Sequence, residues 1–171
     1  MNDDLGNRMK MYEGIEVERF FIPTLPILAR IDGRCFSSFT EGLERPYDVT
    51  MSSAMIKTTE YLVKETNARC GYTQSDEITL VWWEPDRRKQ LLFNGRIQKL
   101  NSIIASMATI YFFDYIKSHP PLKYSQKLPV FDCRVWQVPS ITEAANTFLW
   151  RELDASKNSI SMAVSHYYKD S

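Results

Sequence analysis

The order of elements in this 171-residue chain predicts an α+β fold of the ferredoxin-like, split βαβ kind, an antiparallel sheet covered by helices. Three observations carry the prediction. An apolar run, LPILARIDG (Leu25 to Gly33), ends in Asp-Gly as a buried strand does. Two strand-like runs meet at Ser75-Asp76-Glu77 inside GYTQSDEITLVWW. A long helical repeat of apolar residues then leads into a further alternating run, VFDCRVWQV.

Taken in order, residues 1–24 form an acidic and polar N-terminal arm. After the first strand, RCFSSFTEGLERPYD has no sustained period and contains Gly42 and Pro46, so it is a loop with a helical turn around Phe36 to Phe39. Asp48 is placed to cap a helix from Val49 to Thr66, with Met51, Met55, Thr58, Leu62 and Glu65 near one face. Arg69 to Gln74 reads as a short strand, and the Thr, Ile, Val and Trp residues after Glu77 as a buried one. Trp82 and Trp83 point opposite ways on such a strand, one to the core and one to an edge, with Trp82 expected at an oligomer contact. EPDRRKQ is a charged loop.

A helix is predicted from Gln90 to Lys117, where Ile97, Leu100, Ile104, Met107, Ala108, Tyr111 and Tyr115 recur at helical spacing. SHPPLKYSQKLP is a linker, because paired prolines cannot continue a helix. The strand VFDCRVWQV closes at Pro139, and Ser140 with Glu143 forms a capping-box signal for a last helix running towards Tyr168. The length suits one domain, 1–171, with 140–171 as its C-terminal helical region. The order β-α-β-β-α-β sets the first and third strands side by side at the sheet centre, so Asp32 and Asp76 converge on one edge.

Composition excludes several classes. Lys plus Arg equals Asp plus Glu at 21 each, so no polybasic footprint exists, although a local basic groove is compatible. Three scattered cysteines, Cys35, Cys70 and Cys133, suggest a reducing compartment without a disulfide framework. Two histidines, His119 and His166, and no CxxC spacing argue against zinc. The N-terminus lacks a signal-peptide core, and LNSIIASMATIYFFDYI is too polar and too short to span a bilayer. A soluble, cytoplasmic protein is expected.

Adjacent carboxylates at a strand junction are costly to desolvate without a nearby positive charge. Carboxylates from neighbouring strands suit one or two hard divalent cations such as Mg²⁺, which keeps waters and shares phosphate oxygens. Gly33 allows close backbone approach, and Arg34 and Arg45 are candidate phosphate contacts. Taken alone the pattern is a weak signal, and its ordinary reading is that Asp-Gly is a turn and Ser-Asp a capped strand end. Phe36 and Phe39 read as core anchors, Cys35 as a backbone-amide position, and Lys123, Lys127, Lys157 and Lys169 as solvated surface that could line an RNA path.

RIDGRCFSSF, RPYD, GYTQSDE, FDCRV and WRELDASKNS, in this order, resemble the tRNA-His guanylyltransferase family of 3′–5′ nucleotide-adding polymerases, which includes the Thg-like proteins. The resemblance runs from about Leu25 to Ser161. It implies a palm-like catalytic core with two Mg²⁺ ions, held by Asp32, Asp76 and the backbone carbonyl of Gly33. Glu77 matches a supporting catalytic acid. Gly33, Arg34, Cys35, Phe36 and Ser37 match a nucleotide-cradling loop; Arg45, Asp48, Ser75 and Asn158 match further nucleotide-site positions. GTP and ATP are the implied nucleotides, a tRNA or tRNA-like 5′ end the implied acceptor, and a dimer or tetramer the implied assembly.

Two family histidines are replaced, by Ser37 and by Ser156, and these positions contribute to recognising tRNA-His. The departures favour a template-dependent member over a strict tRNA-His enzyme. The chain ends at Ser171, where typical members continue, as a minimal or shortened version would. Two other readings stand beside this one: a palm-domain synthase of oligonucleotide messengers from NTPs alone, and a catalytically silent ferredoxin-like RNA-binding module.

Overall fold

A computed structural model describes residues 4–44, 47–119 and 128–168. Its elements are α1 (Asp4–Val17), β1 (Ile27–Gly33), a single turn α2 (Phe36–Phe39), α3 (Val49–Thr66), β2 (Cys70–Gln74), β3 (Glu77–Trp82), a 3-10 turn (Leu92–Gly95), α4 (Ile97–Ser118), β4 (Phe131–Gln137) and α5 (Ile141–Tyr167). The strands form one sheet in the order β2-β3-β1-β4, every neighbour antiparallel. This is the predicted ferredoxin-like arrangement: β3 lies between β1 and β2.

Strand alternation divides the sheet into two unlike faces. Ile27, Ala29 and Ile31 of β1, Ile78, Leu80 and Trp82 of β3, and Phe131 of β4 join the main core. They meet Met55 and Leu62 of α3 and Leu100, Ile104 and Phe112 of α4. The other face buries a small cluster of Leu28, Val81 and Ala144, with Trp136 and Phe148 against it. That second face turns polar towards the end of β1. Asp32 pairs directly with Glu77 on one side and Asp132 on the other, and Arg30 with Thr79 and Arg134. Directly paired residues project from the same face, so the register gathers these charges beside α5.

Several expectations change. The N-terminal arm contains α1, a helix with no buried residue; no apolar stripe marks it because it contributes nothing to the core. The helix predicted from Gln90 begins only at Ile97, since Phe93, Asn94 and Gly95 take left-handed backbone conformations. Long-range pairing holds them there: Phe21 N donates to Gly95 O at 2.9 Å and Ile97 N to Arg19 O at 3.0 Å. Thr66, not Glu65, completes the buried face of α3. Trp82 is a core residue whose Nε1 donates to Thr66 O at 3.1 Å, so it is not at an outer contact. Trp83 is the half-buried one.

Asp48 caps α3, its Oδ1 accepting from Met51 N at 2.9 Å. Ser140 caps α5, with Glu143 N donating to its Oγ at 3.2 Å. No helix among the described residues is long and apolar enough to cross a membrane. Arg45, Lys123, Lys127, Lys169 and most of the proline linker (120–127) lie outside the described residues.

Candidate active site

The site is built where β1 ends and the β2–β3 hairpin turns. Gln74 pairs with Glu77, so Ser75 and Asp76 are the two loop residues of a tight hairpin, and Ser75 takes the positive φ (49°) such a turn uses. Gly33 N donates to Asp76 O at 3.0 Å, which fastens this turn to the end of β1. Asp76 therefore stands beside Asp32. Burial pushes the Asp76 carboxyl above its usual value; a hydrogen bond from Ser75 Oγ (3.0 Å) and its own backbone pull it back, and the Asp32 charge raises it further.

Gly33 is required by space. A Cβ there would lie 2.3 Å from the Phe36 ring. That ring cannot retreat, because it packs on Phe39, Phe112 and Phe131 with centroids 4.9, 5.6 and 4.9 Å away. Phe36 and Phe39 are core anchors, each 3% exposed. Arg34, Cys35 and Ser37 are exposed beside the carboxylates, with Cys35 left-handed (φ 55°) at the start of α2. The loop's amides are divided in use. Gly33 N is bonded to Asp76 O and Arg34 N to Val130 O (2.8 Å), while those of Cys35, Phe36 and Ser37 have no acceptor among the described residues.

Glu77 is drawn away from the solvent side. It is 8% exposed, and Arg151 of α5 grips it through Nε to Oε1 (2.6 Å) and Nη2 to Oε2 (2.9 Å). Arg151 also donates to Asp154 Oδ2 at 2.9 Å. Burial lowers the Arg151 pKa, but the hydrogen bonds and charges of Glu77 and Asp154 outweigh it and leave the group above its usual value. Arg30 Nε is buried without a hydrogen-bond partner, 3.8 Å from Glu77 Oε2. On the outer side, Arg134 approaches Asp32 Oδ2 (3.6 Å) and Asp132 Oδ1 (3.4 Å). Asn158 is exposed on α5, and Asp48 has one carboxylate oxygen engaged as the cap of α3.

Asp32, Gly33, Ser75 and Asp76 are thus assembled, and the Arg34–Ser37 loop borders them. Arg30, Asp132, Arg134 and Arg151 are charged neighbours to which sequence reasoning assigned no role. FDCR and WRELD contain three of them, but only the strand register and the packing of α5 reveal what they face. A separate hollow of about 730 Å³, lined by Arg69, Trp83, Lys89, Phe93, Arg96 and Lys99 among others, sits past the opposite end of β3. It is distant in the sheet from these carboxylates.

Among the described residues no group of three or more His, Cys, Asp or Glu side chains could hold a metal. Two juxtaposed carboxylates, one with its charged form disfavoured by burial and by the other, do fit a hard cation that takes its remaining ligands from water and phosphate.

A model of the tRNAHis guanylyltransferase family matches residues 6–139. An uncharacterised protein of Acanthamoeba polyphaga mimivirus is 34% identical, over 98% of this chain and 64% of its own length. The tRNA(His) guanylyltransferase of Debaryomyces hansenii is 28% identical, over 90% of this chain and 58% of its own. The chain spans about three fifths of the length of these two relatives. A bacterial tRNA(His) guanylyltransferase-like protein solved in complex with GTP superposes with a TM-score of 0.88 at 36% identity, covering 99% of this chain and 79% of that one. A bacterial protein of the same description solved with ATP gives 0.89 at 36% identity, covering 96% and 72%. With a family model matched across most of its length and a fold shared with these structures, the chain belongs to the tRNAHis guanylyltransferase family.

Proposed function

We propose that this chain is a palm-like nucleotidyltransferase unit that adds nucleotides in the 3′–5′ direction to the 5′ end of tRNA or a tRNA-like RNA. The observation that carries the reading is the Gly33–Asp76 bond, which sets Asp76 against the end of β1 and makes one acidic corner from two distant segments. In the reaction, the 3′-hydroxyl of an NTP attacks an activated 5′ phosphate, a phosphorus–oxygen bond forms, and AMP or pyrophosphate leaves. GTP and ATP are the proposed nucleotides, in line with the complexes of the bacterial relatives.

Asp32, Asp76 and the Gly33 carbonyl are the proposed holders of Mg²⁺, with Ser75 orienting the Asp76 carboxylate. Bound there, the cations supply positive charge that lowers the hydroxyl pKa and offsets charge on the phosphoryl oxygens. The loop from Gly33 to Ser37 borders the incoming nucleotide, and Arg45, Asp48 and Asn158 are proposed contacts to it. Ser37 and Ser156, in place of the family's histidines, favour template-dependent addition over a strict tRNA-His reaction. The working form is proposed to be a cytoplasmic dimer or tetramer.

The test is incorporation of labelled NTP into 5′-monophosphate and 5′-triphosphate tRNA transcripts, with and without Mg²⁺, beside an NTP-only reaction. Label at the RNA 5′ end that disappears in Asp32→Ala and Asp76→Ala supports the reading. Product from NTPs alone replaces it with an oligonucleotide synthase. RNA binding without any product, unaffected by Asp76→Ala, replaces it with a silent module.

A further inference from the structure

The 27-residue helix α5 has two buried residues, Ala144 and Arg151. Ala144 sits in the small apolar cluster near the start of the helix, so its second anchor on the sheet is a charged side chain. That anchor is specific about what it holds. Gln74 and Glu77 are the paired residues on either side of the Ser75-Asp76 turn, and Arg151 contacts both. Its guanidinium takes Glu77 at 2.6 and 2.9 Å, and its carbonyl accepts from Gln74 Nε2 at 3.4 Å. Trp150 backs the guanidinium, its ring centroid 4.5 Å from Arg151 Cζ, and Asp154 Oδ2 accepts from Nη2, the nitrogen shared with Glu77.

We propose that Arg151 is a positioning residue that locks α5 to the turn carrying Asp76, so that the metal-side carboxylate and the α5 residues beyond it are placed as one body. Arg151, Asp154, Ala155 and Asn158 follow at spacings of three and four and share one helix face. Asn158 is thereby set two turns beyond the lock, on the helix face that carries Arg151. Glu77 then serves as the acceptor of this lock. A lysine cannot replace the arginine, because an ammonium offers a point contact where the planar fork makes two parallel bonds. This inference rests on the nucleotide-binding reading above for Asn158, while the lock itself does not.

The experiment compares wild type, Arg151→Lys and Glu77→Gln, with the exposed change Glu152→Gln as control. Amide hydrogen exchange and GTP binding in the presence of Mg²⁺ are the readouts. Circular dichroism and a cooperative melt establish that each variant is folded. The expected result is exchange about tenfold faster or more across residues 152–160 and the Ser75-Asp76 turn in both lock variants, with the strand amides of β1 unchanged. GTP affinity falls about tenfold in Arg151→Lys, and adding Asn158→Ala to that variant costs less than about twofold more, because both act through one placement. Unchanged exchange in folded Arg151→Lys overturns the lock, and additive losses with Asn158→Ala overturn the placement of Asn158 by it. Wild type that binds no GTP overturns the nucleotide reading and with it the role of Asn158, while the exchange data still decide the lock. Should Arg151→Lys not fold, Glu77→Gln, which keeps an acceptor in place, supplies the same exchange comparison.

Discussion

Arg151 reaches across 74 residues of sequence to bind Glu77 through two charge-assisted hydrogen bonds, with the two residues 6% and 8% exposed. A pair this dry stabilises little relative to an apolar alternative, because both ions lose their hydration, yet removing one partner strands the other. Arg151→Met leaves a buried carboxylate whose remaining ion-pair partner among the described residues is Arg30, and its expected cost is about 3–5 kcal/mol. Adding Glu77→Gln removes the stranded charge while keeping a side-chain oxygen of the same shape near Arg30 Nε. The double variant is therefore expected to recover about half of that loss or more. Urea midpoints of the two proteins decide it, and a double variant no more stable than the single one contradicts the argument.

Asp76 holds its proton more tightly in the folded chain than in the unfolded one, chiefly through burial and further through the charge of Asp32. At neutral pH, well above the usual 3.8, its ionised form therefore works against folding when no cation is bound. Asp76→Asn is expected to raise the melting temperature of the metal-free protein by roughly 2–4 °C. Mg²⁺ is expected to raise that of wild type and to leave that of Asp76→Asn unchanged, since a ligand stabilises only what it binds. Thermal melts with and without Mg²⁺ read both effects. A less stable metal-free Asp76→Asn would assign the carboxylate a structural role instead.

Gly33 leaves no room for even one methyl group. With the Phe36 ring 2.3 Å from the position of a Cβ and held by three other rings, Gly33→Ala is expected to cost about 1–3 kcal/mol by overpacking. Phe36→Leu in the same chain gives the added methyl a softer neighbour and is expected to return part of the loss. Because the backbone at Gly33 is not in a left-handed region, a cost that Phe36→Leu leaves untouched would point away from the ring as its cause.

Legibility followed sequence distance. The helix from Val49 to Thr66 was plain because its cap, Asp48, and its apolar period are local signals. The hairpin at Ser75-Asp76 was marked the same way, by polar residues between two β-rich runs. The kink at Phe93 to Gly95 was hidden because Arg19 and Phe21, some 75 residues earlier, hold that backbone out of the helix. The helix α1 was hidden for the opposite reason, since it buries nothing and so needs no pattern. Within the site, Asp32 and Asp76 were readable as paired acids at strand ends. The arginines were not, because Arg134 and Arg151 acquire meaning only once register sets Asp132 and Glu77 on either side of Asp32.

Cys133 provides a titration at a group outside the Asp32–Asp76 pair. Burial pushes its thiol up to about 12, with the charge of Asp132 adding to the effect, whereas Cys35 and Cys70 are exposed. The unfolded thiol ionises near 9, and the folded one keeps its proton until about 12. Folding therefore retains a proton that the unfolded chain has lost, so stability falls as pH rises between these values, by at most about 1.4 kcal/mol per pH unit. Cys133→Val cannot ionise, and its urea midpoint is expected to decline less steeply than that of wild type between pH 8 and pH 10. Tyrosines and lysines titrate in the same range in both proteins, so the difference between the two curves isolates the thiol. In native protein at pH 8 a thiol reagent is expected to modify the exposed Cys35 and Cys70 rapidly and the half-buried Cys133, which keeps its proton, more slowly. Parallel midpoint curves together with equally fast labelling of all three thiols would show that the Cys133 thiol is not held above its usual range.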